Sequence, residues 1–295
     1  MIRLLGMNTD NIRHIALKDA SIPTLTEALV VLCFSMGIML FTVRAFRFFE
    51  PGMFELTGDS RFSMGLLIEL LGLGLPLALL FAVKRYSLSR SLGMVACGFS
   101  SLAGGGLMGA GTVFFTPQLE AWLARRIPPP EGYFETMIDF FTLKSGESLA
   151  WAFFCVALMP ALLEEALFRG VLLRSALLSM SRPAVIVGVG AAFALFHFDL
   201  WRAPVLCLIG MLITWIALRS ASLWPAVVFH LVHNSLALIL LNLIQPGNRG
   251  WIEGAADVPA PLLALGAFLL VSGAIILPQR APEKGPAHRN WSQPE

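Results

Sequence analysis

Charge is what this sequence has least of. Of its 295 residues only 14% are Asp, Glu, Lys or Arg, while 57% are hydrophobic. Soluble domains carry about 25% charged residues, so the deficit argues against a chain whose whole surface meets water. The net charge of +2 contains no basic block, which argues against nucleic acid as a partner. Cysteine is scarce too. Cys33, Cys97, Cys155 and Cys207 each fall within an apolar run and form no CxxC or other metal spacing. They read as small hydrophobic side chains rather than a disulfide framework. No cleavable leader is expected either. The first long apolar run starts near Ala28, behind a polar lead with Arg3, Asp10, Arg13, His14, Lys18 and Asp19. That run is expected to be retained as a membrane span.

What is abundant is apolar sequence in stretches of bilayer-crossing length, about 20 residues. They fall at 26–46, 64–83, 92–115, 148–178, 183–201, 204–219, 222–244 and 260–278. The expected fold is all-α: a polytopic membrane protein of about eight transmembrane helices, one domain over 26–278, integral to the lipid bilayer. A polar lead (1–25) precedes it, and a proline-rich tail (279–295) is expected to be disordered. Pro183, Pro204 and Pro225 each stand where a helix would start, where a missing N–H costs nothing. The longest connection, 116–147, carries Glu120, Glu131, Glu135, Asp139 and Glu147. Lys and Arg in the flanks favour, by a modest majority, both termini on the cytoplasmic side. Gly105 and Gly109 stand in GxxxG spacing. This implies close helix packing within the chain, with a dimer face as the alternative and the oligomeric state open.

Against this background the polar residues inside the spans stand out. The fourth span reads ALLEEALFRGVLL, with Glu164, Glu165 and Arg169 at depth. Each charge there costs roughly 2.5–3.5 kcal/mol on insertion scales. Glu165 and Arg169 are i,i+4 partners, acid before base, and pairing offsets much of that cost. Glu164, about 100° round the helix, is left to face something else, and Pro160 upstream is expected to kink the helix. The fifth span ends in FALFH, with Phe193 and His197 at i,i+4. The seventh holds HLVHN, where His230 and Asn234 share a face and His233 points elsewhere, read as a helix–helix hydrogen bond. Counting from a turn near Met180 puts Glu164 and His197 at matching depth, and one polar cluster from three helices is geometrically possible. Glu69 is expected at the membrane interface.

A carboxylate beside an imidazole can hold and deprotonate a water. A histidine and an asparagine one turn apart can both donate to an oxygen that gains charge. No nucleophile stands out, since Ser235 lacks a GxSxG setting, and no HExxH is present. Alternatives from other classes are an ion- or proton-coupled transporter using the acid–histidine cluster as a relay, and a catalytically silent scaffold or immunity protein.

The segments EEALFR, FALFH and HLVHN resemble the EExxxR, FxxxH and HxxxN/D motifs of the CAAX prenyl endopeptidase and bacteriocin-processing (Abi) intramembrane protease family, in the expected order over 148–244. The resemblance implies an intramembrane endopeptidase acting on a membrane-embedded or C-terminal-peptide protein substrate. It implies that Glu164 is the general base, that His197 helps hold the water, and that His230 and Asn234 steady the oxyanion. Glu165, Arg169 and Phe193 would shape the site. The preferred reading needs no cofactor; the alternative is zinc on Glu164, His197 and His230.

Overall fold

The computed structural model describes residues 22–49, 58–245, 248, 250–252 and 256–278. Most of the polar lead (residues 1–21) and the tail from 279 lie outside the described residues. Among those described, the chain is helical without strands. In chain order the elements are α1 (Leu25–Phe49), α2 (Ser60–Lys84), α3 (Leu88–Leu92), α4 (Phe99–Ala124), α5 (Tyr133–Phe141), α6 (Leu149–Ala176), α7 (Arg182–Phe196), α8 (Ala203–Ser220), α9 (Trp224–Leu243) and α10 (Ala260–Ile276). Five of them, α1, α2, α6, α8 and α9, are long and apolar enough to cross a membrane, and α7 and α10 are shorter apolar helices. The chain is a multi-pass membrane protein. Pro183, Pro204 and Pro225 open α7, α8 and α9 in their first turns, as expected.

Three boundaries differ from the sequence reading. The third long helix runs over 99–124 rather than 92–115. Gly93, at φ 68°, ends α3 in the left-handed conformation, and the chain stays extended until Gly98. At its other end α4 continues through Pro117 and buries Glu120. The expected connection 116–147 is correspondingly shorter and contains α5, which has no fully buried residue. Finally, α7 ends at Phe196 instead of 201, because Phe198 takes a left-handed backbone at φ 54°.

Two spans contain wider, π-type turns. One is Leu70–Gly74 in α2; the others are Phe154–Leu158 and Ala166–Leu172 in α6. Pro76 and Pro160 follow the first two. Proline has no N–H for the carbonyl four residues back, and its ring crowds that carbonyl; widening the turn relieves both problems. The kink expected at Pro160 therefore takes the form of a π-type turn, a feature frequent at functional sites.

The glycines of α4 make the bundle compact. A Cβ at Gly105 would lie 2.2 Å from the Pro225 carbonyl oxygen, and one at Gly109 2.3 Å from that of Phe229. On another face, Gly111 would place a Cβ 2.7 Å from the Gly266 carbonyl oxygen. The GxxxG pair thus packs α4 on α9 within the chain. At the end of the bundle where α2 begins, Arg61 donates to both Glu147 carboxylate oxygens and to the Thr142 carbonyl at 2.6–2.8 Å. This fixes the start of α6 against α2. Because the obstruction at Gly109 is backbone, Gly109→Val is expected to destabilise by about 1–3 kcal/mol, the usual range for overpacking. Gly106→Ala, whose Cβ would meet valine methyls at 3.4 Å (Val228) and 3.8 Å (Val232), should be nearly neutral; comparison of the two melting temperatures in detergent checks this.

Candidate active site

The site is built around a charge pair with no access to solvent. Arg169 and Glu165 lie one turn apart on α6, and both side chains are fully buried. Arg169 Nη1 donates to Glu165 Oε1 at 2.9 Å, and Nη2 donates to the Gly210 carbonyl at 2.9 Å. That carbonyl comes within reach because α7 and α8 cross at two glycines: a Cβ at Gly210 would lie 3.1 Å from Gly190 Cα. The guanidinium also sits 4.6 Å from the Phe193 ring centroid, a favourable cation–π placement. The same Glu165 Oε1 pairs with His230 Nδ1 of α9 at 2.9 Å. One carboxylate thus joins α6 to α9, and its arginine joins α6 to α8.

Glu164, turned away from this pair, faces α7. Its Oε2 is buried without a hydrogen-bond partner among the described residues and lies 3.9 Å from His197 Nε2. The matching depth expected for the two residues is what the structure shows. His197, however, is not within its helix. It caps the C-terminus of α7, and its side chain is 30% exposed against 11% for Glu164. His197 Nδ1 is 2.8 Å from the Phe193 carbonyl. A carbonyl only accepts, so Nδ1 carries the hydrogen and the Nε2 lone pair is turned toward Glu164. Phe193 therefore contributes twice, holding His197 through its carbonyl and placing its ring edge-on to His230 at 6.2 Å.

Asn234 does something the sequence did not suggest. Its Nδ2 donates to the Val156 carbonyl at 3.1 Å. Val156 is four residues before Pro160, so it is the carbonyl that the proline cannot serve. Reading Asn234 simply as a twin of His230 is incomplete: one amide hydrogen is spent on the widened turn of α6, and the second remains. His233 meets α4 as expected, with Nδ1 2.9 Å from Thr112 Oγ1. The Ser235 hydroxyl donates back to the Leu231 carbonyl at 2.5 Å, in keeping with its lack of a nucleophile's setting.

Other groups here were missed or misplaced by the sequence. Glu69, expected at the interface, is the tenth residue of α2, roughly 14 Å along the span at ~1.5 Å per residue. Its Oε2 is buried without a hydrogen-bond partner among the described residues, and it is near enough to Glu164 for their charges to interact. Beyond His197, Asp199 accepts from the Tyr133 hydroxyl of α5, and Arg202 pairs with Glu120 of α4. Burial and the bond to Asp199 push the Tyr133 hydroxyl above its ordinary range, so it remains a donor. Neither pair has a spacing signature, since each joins residues far apart in sequence. As for a metal, both His197 and His230 have Nδ1 engaged, which is common among metal-bound histidines. Among the described residues no three His, Cys, Asp or Glu side chains are grouped to hold an ion.

The fold and this cluster define a multi-pass membrane protein with a carboxylate–imidazole centre set inside its helices. Residues 146–236, which include all three motifs, match the family model described as Type II CAAX prenyl endopeptidase Rce1-like. Over that segment, about a third of its length, the chain is similar to CAAX-type prenyl endopeptidases. No curated protein and no solved structure matches it.

Arg169→Ala would leave Glu165 buried with His230 as its remaining partner. Breaking a buried pair from one side costs about 3–5 kcal/mol, so a large drop in melting temperature is expected. The double variant Glu165→Gln/Arg169→Gln should recover much of that stability but not activity, because His230 no longer has its carboxylate. Unequal recovery of the two properties is the diagnostic result; a double variant no more stable than Arg169→Ala would show that the pairing is energetically unimportant.

Proposed function

We propose that this protein is an intramembrane endopeptidase in which Glu164 and His197 activate a water for attack on a peptide carbonyl. The observation that carries this reading is the facing of two acceptors, Glu164 Oε2 and His197 Nε2, 3.9 Å apart. One water can donate a hydrogen to each and present an oxygen lone pair to the substrate. As that oxygen bonds to the carbonyl carbon, Glu164 takes one of its protons, which is general-base catalysis. The carbonyl π pair moves onto its oxygen. His230 faces that oxygen from α9. Its Nδ1 already donates to Glu165, so a donating Nε2–H requires the doubly protonated ring with Glu165 as counter-charge. The second amide hydrogen of Asn234 is the other donor. Collapse of the intermediate breaks the C–N bond, and Glu164 returns its proton to the leaving nitrogen, yielding a carboxylic acid and an amine.

Glu164→Gln keeps the shape but cannot take the proton. It is expected to lower turnover on the order of 10²–10⁴-fold with insertion and melting temperature near wild type. More than a tenth of wild-type cleavage by the folded variant would sink the assignment.

No cofactor enters this proposal. Asn234 suits an oxyanion donor better than a zinc ligand, and the three candidate ligands are not grouped. Elemental analysis of active protein is the test: near-stoichiometric zinc, lost together with activity in His197→Ala, would overturn the metal-free mechanism and leave a peptide hydrolase. The proposed substrate is a membrane-associated protein or peptide. A proteomic comparison of membranes carrying wild type and Glu164→Ala, searched for an uncut precursor, would identify it. With both termini cytoplasmic, as the Lys and Arg flanks favour, the exposed edge of His197 opens on the opposite side, a placement that impermeant labelling of single cysteines would check.

A further inference from the structure

Near the catalytic cluster, and unused by the chemistry above, is a cavity of about 110 Å³. Its lining includes Thr116 and Glu120 of α4, Arg202 before α8, His233 and Leu240 of α9, and Trp251 beyond α9. Two of these residues neighbour the reaction centre in the chain: His233 lies one turn after His230, and Arg202 ends the short turn that His197 begins.

The hydrogens of the lining can be assigned. Thr112 Oγ1 gives its single hydrogen to the Gly109 carbonyl at 2.8 Å. It therefore accepts from His233 Nδ1 at 2.9 Å. In the neutral ring this makes Nε2 an acceptor. Stacking on Phe229, with ring planes 4° apart and centroids 6.3 Å apart, holds the imidazole in place. Thr116 gives its hydrogen to the Thr112 carbonyl at 2.9 Å, leaving its oxygen as an acceptor. Glu120 and Arg202 neutralise each other. The polar part of the wall consequently carries no net charge; His233 and Thr116 offer acceptors there, beside the Arg202–Glu120 pair, while Leu240 and Trp251 supply apolar surface. Such a wall suits a neutral group that donates hydrogen bonds from an apolar stem. The volume is well below the roughly 300–1,000 Å³ of pockets for drug-sized ligands and suits a single side chain.

We infer that this cavity is a side-chain subsite for the substrate, taking a hydroxyl or primary amide (Ser, Thr, Asn or Gln), with His233 Nε2 as the acceptor that selects it. The inference rests on the endopeptidase reading for its place beside the scissile bond, and His233 is its specificity-determining residue. A site that hydrogen-bonds a donor can reject the apolar isostere strongly, because its own polar group is otherwise left unpaired.

The experiment has two arms, using the full chain in detergent. In the first, isobutyramide is titrated by ligand-observed NMR into wild type, Glu164→Gln, His233→Leu and Leu240→Trp. Wild type and Glu164→Gln should bind alike, while His233→Leu and the cavity-filling Leu240→Trp should each weaken binding at least tenfold. Leu240→Trp leaves the His233–Thr112 bond in place, so it keeps the test valid if His233→Leu does not fold. In the second arm, peptides with Thr or Val at each position around the cleaved bond are compared. Wild type should prefer Thr at one position by at least tenfold in kcat/KM, and His233→Leu should abolish that preference while cleaving the Val peptide at close to the wild-type rate. Amide binding insensitive to both cavity variants, or a Thr preference that survives in them, would overturn the subsite. Amide binding as expected, without a Thr preference in an active enzyme, would also overturn it, pointing to a small-molecule site instead. Amide binding as expected in a protein that cleaves nothing would overturn the endopeptidase reading and the subsite role, leaving only the cavity's selectivity for amides.

Discussion

A guanidinium and a carboxylate with no access to water hold this bundle in register. Burying either ion alone would be prohibitive, and burying both is tolerable only with good geometry and further hydrogen bonds. Arg169 goes most of the way by donating to Glu165 and to the Gly210 carbonyl, its Nε lacking a hydrogen-bond partner among the described residues. Glu165 concentrates its bonds on Oε1, which pairs with Arg169 and with His230, while its buried Oε2 lacks a hydrogen-bond partner among the described residues. These bonds require that α6, α8 and α9 approach at one depth, and the Gly190–Gly210 crossing brings α7 into the same arrangement. A slip of one helix by a single turn would strand a charge. The pair therefore discriminates among packings that apolar contacts, nearly equivalent in lipid, distinguish poorly.

The second constraint is a missing hydrogen. Pro160 cannot donate to Val156, α6 widens there, and the Asn234 amide supplies the bond from α9. Glu164 and Glu165 follow Pro160 within two turns, so the irregularity helps set where both carboxylates point. It also couples the positions of His230 and Asn234 on α9 to those of the acids on α6 through two separate links, one ionic and one to the backbone. A proline that would merely break a helix in isolation is here part of what aligns the site.

Much of this could be read from the sequence because it depends on short-range periodicity. The i,i+4 spacing of Glu165 and Arg169 specifies their contact, and counting residues from a turn specifies the shared depth of Glu164 and His197. The parts that could not be read depend on other causes. The start of α4 was set by Gly93 and Gly98, where backbone conformation outweighs apolar content. The end of α7 was set by a left-handed Phe198, a conformation that composition does not announce. Glu69 and the Glu120–Arg202 pair owe their surroundings to helices distant in sequence, and a lone acid near a span's end resembles an interfacial residue until its neighbours are known. Asn234 was found by its spacing, yet its bond to Val156 needed the α6–α9 packing to be seen.

Within the cluster, exposure rises in step with the role proposed for each group. The Glu165 and Arg169 side chains have none, His230 has 7%, Glu164 has 11% and His197 has 30%. Groups that must keep a fixed charge and geometry are in the dry part, where electrostatic interactions are strong and do not exchange with solvent. Groups that must exchange protons with water stand toward the opening. The proposed hydrolysis would have to satisfy both demands within a few ångströms, with the substrate bond brought from lipid and the co-substrate from water. Ending α7 at Phe196 suits both: it leaves the His197 side chain partly exposed while its Nε2 stays 3.9 Å from Glu164 Oε2.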